Sequence, residues 1–439
     1  MGNTVYTPCV ILPGIGQSKV EMLDGSGNKV KMAWPLDFDA DSLLPALKGP
    51  MMKMMLFRRD AGFTDAAAKC IREAVDALAT KPDGTMKNPV RVVRYPYSLA
   101  KCSDDEKRYI YRMVPLKQLS DIIGEENVYF FAYNSFGQPY ETAKELDEFI
   151  QQIKAETGSD KVNLIPVSMG GALSTAYFDA YGYKHDVKRV MYFVAALEGS
   201  RMIADILSKN IKPENGLSVI ELLVNREAAE KLQPLLKMMP EGIPEKLLYS
   251  ALDAIIDTAV ANSPSMWSVV PPQDYPALAE RYLKNKPELK AQTDRFYNAQ
   301  SRVRELIAEQ QENGVEFFAC AGYNRTLFPL CASDNLSSDS VIHLASVTLG
   351  ATSAAPGEKL PDDAVTENSI LSPDGNVDAS TGFFPDTTWY FKDQYHDDIA
   401  YNDTALGIAA RVLSDDTFTS VHSDPAFPQF GVAQDNRKK

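Results

Sequence analysis

Val162-Asn163-Leu164-Ile165-Pro166-Val167-Ser168-Met169-Gly170-Gly171-Ala172-Leu173 is the stretch whose reading decides the fold. An apolar, partly β-branched run ends in a serine. Two glycines follow at once, and residues 172–181 continue with helix-like spacing. A buried strand that turns sharply into a helix, with a serine at the strained turn, is the pattern of a nucleophile elbow. Strand and helix backbones nearly touch at such a turn, and Gly170 and Gly171 supply the small residues it needs. The usual pattern is Gly-x-Ser-x-Gly, and here Pro166 stands in place of the first glycine. A plainer reading is a strand-to-helix junction with Ser168 as an N-cap. The rest of the chain decides between them.

A serine hydroxyl is a poor nucleophile until a base takes its proton, and the base needs an acid to hold it. Elbow enzymes carry these partners in the order Ser, Asp or Glu, His. The chain has four histidines. His185 lies in the polar turn Tyr183-Lys184-His185-Asp186 and reads as solvated. His343 lies inside the strand-like run 341–347 and reads as structural. His422 is near the C-terminus. His396 stands in Asp393-Gln394-Tyr395-His396-Asp397-Asp398, a loop ahead of an amphipathic segment that ends at Leu413, and is the expected base. Asp374 is the expected acid, in the turn Ser372-Pro373-Asp374-Gly375. Asp378, Asp363 and Asp386 compete with it.

Attack on an ester places negative charge on the carbonyl oxygen, which preorganised backbone N–H groups stabilise. Met169, the residue after the serine, is the expected first donor. The strand-like Cys9-Val10-Ile11-Leu12 runs into Pro13-Gly14-Ile15-Gly16-Gln17-Ser18, and Ile15 is the expected second donor. Gly14-x-Gly16 also suggests a dinucleotide loop, but the third glycine and the acidic ribose partner are missing. A nicotinamide-type dehydrogenase is disfavoured on that ground.

Apolar strand-like segments at 90–95, 127–133, 162–167, 187–195 and 315–320 alternate with amphipathic helical ones at 65–78, 140–157 and 172–181. This alternation implies an α/β fold, a mostly parallel sheet with helices on both faces. The polar stretch 19–32, with Asp24-Gly25-Ser26-Gly27 inside it, reads as a hairpin. From about 200 to 314 strand signals vanish and helical spacing takes over, as at 228–239, 245–260 and 277–284. The domain expectation is a catalytic core of 1–199 and 315–439, with an early lid-like excursion at about 19–88 and a helical cap insertion at 200–314. Leu222, Leu223, Leu235, Leu236, Met238 and Met239 could line an acyl pocket in that cap or simply form its core. Met51-Met52-Lys53-Met54-Met55-Leu56-Phe57, followed by Arg58-Arg59, reads either as a buried helix or as a surface that touches lipid.

These pieces together resemble the lecithin:cholesterol acyltransferase-like branch of the α/β-hydrolases, which holds lipases, phospholipases and acyltransferases. The resemblance runs from Val10 to Leu413. Pro13-Gly14-Ile15-Gly16 is similar to the family's oxyanion loop. Trp34 lies where the family carries a lid region. Phe131-Ala132-Tyr133-Asn134 is similar to its Tyr-Asp-Trp-Arg segment, of which Tyr133 is kept and the Trp-Arg pair is absent. Ser263-Pro264-Ser265-Met266-Trp267 is similar to a Pro-Ser segment of its cap, and 315–320 to the strand before the acid. Val167 stands before the nucleophile, where the family often has histidine. The resemblance implies an α/β-hydrolase fold with an inserted helical cap, and a lipase-, phospholipase- or acyltransferase-like serine esterase using Ser168, His396 and Asp374. Trp34 and Trp267 are the expected substrate contacts. The contrasting expectation is a binding or scaffold protein on a degenerate hydrolase fold.

The chain has 439 residues, of which 45% are hydrophobic, enough for a large core. A net charge of −14 disfavours nucleic acid and strongly anionic membranes as partners and leaves ester or lipid substrates and transient contact with lipid surfaces open. Five cysteines without CxxC spacing disfavour a disulfide framework and a zinc site, and free buried thiols are expected, with a Cys320–Cys331 pair still open. The proposed chemistry calls for no metal and no cofactor. No apolar run approaches 18 residues, so no membrane span is expected. Met1-Gly2-Asn3-Thr4 shows no signal peptide, which fits a cytoplasmic protein or a secreted one whose signal has been removed.

Overall fold

The computed structural model describes residues 6–36, 40–216 and 237–434. Its strands are β1 Cys9–Leu12, β2 Val20–Leu23, β3 Lys29–Trp34, β4 Val90–Val92, β5 Val128–Phe130, β6 Val162–Pro166, β7 Val187–Phe193, β8 Glu316–Tyr323, β9 Thr352–Ser353, β10 Val377–Asp378, β11 Thr388–Lys392 and β12 Phe430–Val432. Seven of them form one sheet in the spatial order β12-β11-β8-β7-β6-β1-β5. Every pairing in it is parallel.

β1 shows why this sheet is buried on both faces. Side chains alternate along a strand. Val10 and Leu12 join one apolar cluster and Cys9 and Ile11 the other, and all four are fully buried. The helices before the elbow are α1 Ala40–Phe57, α2 Phe63–Val75, α3 Asp104–Met113, α4 Lys117–Ile123 and α5 Pro139–Thr157; α6 Gly170–Tyr181 follows it. α5 and α6 cover the Val10 face through Ala143, Leu146, Ile150, Leu173 and Ala176. α3, α4 and the last helix, Asp403–Ser414, cover the other through Ile110, Leu119, Ile123, Ile408 and Val412. Helices on both faces of a parallel sheet, with a sharp strand–serine–helix turn after β6, make this an α/β-hydrolase fold.

Between β7 and β8 the described elements are helical: α7 Arg201–Ser208, then Ile243–Ile255, Pro264–Trp267, Tyr275–Tyr282, Pro287–Ser301 and Val303–Glu312. They share a small core of their own, with Leu207, Leu252, Trp267, Tyr275, Leu278 and Leu289. Of the helix expected at 228–239, residues 228–236 lie outside the described residues, as do Leu222, Leu223, Leu235, Leu236 and Met1 to Thr4.

Two expected strands differ. Residues 90–95 yield only β4, which joins β2 and β3 in a separate antiparallel sheet. Val90 and Val92 are half-buried and Arg91 pairs with Glu21 at 2.8 Å, the one-sided pattern of an antiparallel ribbon. Residues 341–347 are not a strand. The N–H groups of Val341 and Ile342 are bound by the Asp339 carboxylate, and a short helix, Leu344–Thr348, follows. All five cysteines are free and buried.

Candidate active site

Ser168 leaves β6 at a turn fixed from both sides. Val167 N–H donates to Leu12 O at 2.9 Å, and Ser168 N–H donates to Phe193 O at 3.0 Å. Ser168 has φ 53, a left-handed conformation costly for a side chain and held here by its neighbours. A Cβ at Gly170 would overlap Leu12 O, and one at Gly14 would stand 2.9 Å from Ser168 Cβ. The two backbones therefore approach the serine only where no side chain intervenes. Pro166 pairs with Leu12 at the end of β6 and leaves this turn intact.

His396 follows β11 after the left-handed Asp393 (φ 60). Its Nε2 lies 3.0 Å from Ser168 Oγ, and its Nδ1 lies 2.7 Å from Asp339 Oδ2. The backbone repeats the link, since His396 N–H donates to Asp339 O at 2.8 Å. Asp339 is fully buried. Its Oδ1 accepts from Val341 N–H at 2.9 Å and Ile342 N–H at 2.7 Å. An ionised carboxylate only accepts, so Nδ1 carries the proton and Nε2 is left to accept from the serine. Burial alone would lower the His396 pKa. The charge and hydrogen bond of Asp339 outweigh it and hold the imidazole above its ordinary value.

The carboxylate on His396 is thus Asp339, not the expected Asp374. Asp374 Oδ1 accepts from Ser372 Oγ at 2.6 Å and Asn376 N–H at 3.2 Å, and its Oδ2 pairs with Lys392 at 3.0 Å. Burial opposes ionisation there, but these donors hold the carboxyl below its ordinary range. The Asp-Gly signal marks a self-satisfied turn. The competitors are also elsewhere: Asp378 binds Ile370 N–H and Ser380, Asp363 is exposed, and Asp386 is exposed beside His422. His185 is exposed, and His343 is buried, pushed down to about 4 by burial with Arg201 adding to it against the pull of Asp339.

The sequence reading did not weigh Asp339, and the signal that could have pointed to it is its place in the chain. It lies in the loop after β8, the strand recognised as the one before the acid. Asp339-Ser340-Val341-Ile342 also has the form of an Asx turn whose carboxylate takes the N–H groups two and three residues on.

The loop 13–18, in which an oxyanion donor was expected, is pinned through its carbonyls. Tyr133 OH donates to Pro13 O at 2.7 Å, Trp34 Nε1–H to Gly16 O at 2.5 Å, and Tyr109 OH to Gln17 O at 3.1 Å. Gln17 Oε1 accepts from Gly14 N–H at 2.6 Å, a support the sequence reading missed. The N–H groups of Ile15 and Met169 donate to no acceptor among the described residues. Met169 also caps the N-terminus of α6, where the helix dipole favours negative charge. Ile15 is 42% exposed and Tyr395 46%, so the rim beside Ser168 and His396 carries apolar surface.

The two tryptophans separate. Trp34 is half-buried against Phe136 and braces the 13–18 loop. Trp267, expected at the substrate, is buried in the helical segment. Its N–H is taken by Ala261 O and its ring packs on Tyr275 and Tyr282. It is a core residue. No group of side chains that could hold a metal occurs among the described residues.

No protein-family model matches the chain, and no curated protein does. Solved structures do. The chain is similar to phospholipase PlaB from Legionella pneumophila (16% identity, TM-score 0.26) over 51% of its length and 38% of that protein's. It thus spans under half of that phospholipase. It is similar to Bacillus licheniformis lipase BlEst2 in mature form at 11% identity and TM-score 0.31, over 73% of this chain and 89% of that one. A chain of the Tle4–Tli4 complex gives 14% identity and TM-score 0.37, over 94% and 100%. Likeness this distant carries no functional weight.

Proposed function

We propose that the chain is a serine carboxylic-ester hydrolase acting on lipid or other long acyl esters through Ser168, His396 and Asp339. The observation that carries this reading is the unbroken chain Ser168 Oγ–His396–Asp339, at 3.0 and 2.7 Å, together with two backbone N–H groups that have no acceptor among the described residues. Ser168 Oγ attacks the carbonyl while His396 Nε2 takes its proton. Asp339 keeps the imidazole in the Nδ1–H tautomer and stabilises the imidazolium. The N–H groups of Ile15 and Met169 hold the oxyanion, each worth about 3 kcal/mol in such sites. His396 then protonates the leaving alcohol, and water, or an alcohol in an acyltransferase, releases the acyl group. No metal enters these steps.

The helical segment between β7 and β8 serves as a cap over residues 200–314. Its Ser263 and Ser265 hydroxyls donate to Phe136 O and Gly137 O, in the loop after the C-terminal end of β5, which supports a seat on the side of the sheet that carries Ser168. Tyr133, the 13–16 loop and the 263–267 segment support kinship with the lecithin:cholesterol acyltransferase-like branch. Initial rates on p-nitrophenyl esters of graded chain length, with Ser168→Ala alongside, test the proposal. Hydrolysis that rises with chain length and vanishes in Ser168→Ala supports it. Equal rates in both proteins, or silence at every length with no fluorophosphonate labelling, leave a non-catalytic scaffold.

A further inference from the structure

The chain is acidic overall, with net charge −14, yet residues 45–59 hold Lys48, Lys53, Arg58 and Arg59 and no acid. Helical spacing puts Lys48, Met52 and Leu56 in one row of α1 and Lys53 and Phe57 in the next. The opposite side is the packed one. Met54 is fully buried, and with Met51 and Met55 it meets Phe63, Met239 and Ile243. The outward rows are unusually apolar for a surface: Leu56 is 75% exposed, Met52 62% and Phe57 56%. Met238, 58% exposed, extends them, and its carbonyl accepts from Arg58 at 3.5 Å. The Arg59 guanidinium lies over the Phe57 ring. Lys48, Lys53, Arg58 and Arg59 form no ion pair with a described residue, whereas the next acid, Asp60, is paired with Lys246.

We propose that this face of α1, with Met238, is a docking surface for anionic lipid. Unbranched and aromatic side chains flanked by long basic stems suit an interface, where the stems lie along the apolar layer and their charges meet headgroups. Charge complementarity selects the occupant. A symmetric contact with a second copy would set these cations against one another, and a neutral surface would leave them unmatched. The local patch overrides the net charge because fields beyond a Debye length are screened, so a headgroup at the patch meets its cations first. Docking here is separate from the chemistry at Ser168 and is read without turnover.

The test is co-sedimentation of the full-length Ser168→Ala protein with vesicles of phosphatidylcholine alone and of phosphatidylcholine mixed with phosphatidylglycerol. Binding is expected only to the mixed vesicles and is expected to weaken with salt. Each basic residue near an anionic surface is worth about fivefold in partitioning, so Lys48→Gln, Lys53→Gln, Arg58→Gln and Arg59→Gln together weaken it by more than about a hundredfold. Met52→Gln, Leu56→Gln and Phe57→Gln together weaken it by at least about tenfold. Unchanged thermal midpoints show that both variants fold. The proposal is overturned by absent binding, by equal binding to both vesicles, or by folded variants that bind like the parent. It is also overturned if sedimentation velocity shows a dimer that the apolar variant dissociates, since a second copy would then cover the face.

Discussion

Asp339 and Asp374 both stand in turns that follow β8, and their partners separate them. Asp339 turns one oxygen to two backbone N–H groups and the other to His396, while Asp374 faces Ser372, Asn376 and Lys392. Asp339→Asn keeps the shape, removes the charge and favours the wrong tautomer, so kcat is expected to fall about ten-thousandfold. The pH dependence has a definite sign. Asp339 raises the imidazole above 6.5, so kcat/KM falls as pH drops through that raised value and His396 becomes charged. In Asp339→Asn burial lowers the imidazole with only the charge of Asp397 opposing it, and the remaining acid limb moves to lower pH; a rate–pH profile of both proteins checks it. The contact of Ser168 with His396 was legible because strand, turn and chain order constrain it. The acid was not, because Asp-Gly marks turns of every purpose, whereas the tell-tale of Asp339 is the pair of N–H groups behind it.

At the scale of elements, the 13–18 loop and the start of α6 close on Ser168 from two sides. Tyr133 OH holds Pro13 O, and Tyr133 N–H donates to Ser18 Oγ at 3.1 Å, so one residue fixes both ends of the loop. Tyr133→Phe is expected to lower kcat about tenfold with little change in KM, because the donors at Ile15 loosen while ground-state contacts stay; steady-state kinetics on a p-nitrophenyl ester read this split. Gly170→Ala drives a Cβ into Leu12 O and is expected to cost more than about 3 kcal/mol in stability, measured by urea unfolding. The family resemblance singled out Tyr133 but not its task, since hydroxyl-to-carbonyl links across 120 residues leave no periodic trace in sequence. The helices expected at 245–260 and 277–284 were legible from spacing, and Ile243–Ile255 and Tyr275–Tyr282 are helical. The α1 face was ambiguous, because a Met-rich run reads the same whether one side is covered or both.

Across the whole molecule, the C-terminal ends of β1, β6 and β11 and the loop after β8 meet around Ser168, His396 and Asp339, at the end of the sheet where α/β proteins bind ligands. What holds the far half of the sheet in register is Arg189 on β7. It is 2% exposed, pairs with Glu316 on β8 at 2.7 Å, and donates to the carbonyls of Val412, Asp415 and Asp416 at the end of the last helix. Arg189→Ala leaves the buried Val412 carbonyl without its side-chain donor and removes the pair with half-exposed Glu316, and is expected to cost about 1–3 kcal/mol, seen as a lowered thermal midpoint. Nothing in the sequence pattern marked that residue, because an arginine inside an apolar strand looks like an exposed position until its partners are known. The central claim is the identity of the acid, and the rate of fluorophosphonate labelling of Ser168 in Asp339→Asn and Asp374→Asn tests it most directly. The geometry predicts that Asp339→Asn slows labelling by at least about a thousandfold while Asp374→Asn stays within about threefold of the parent. The reverse ranking, or equal labelling in the two variants, would contradict it.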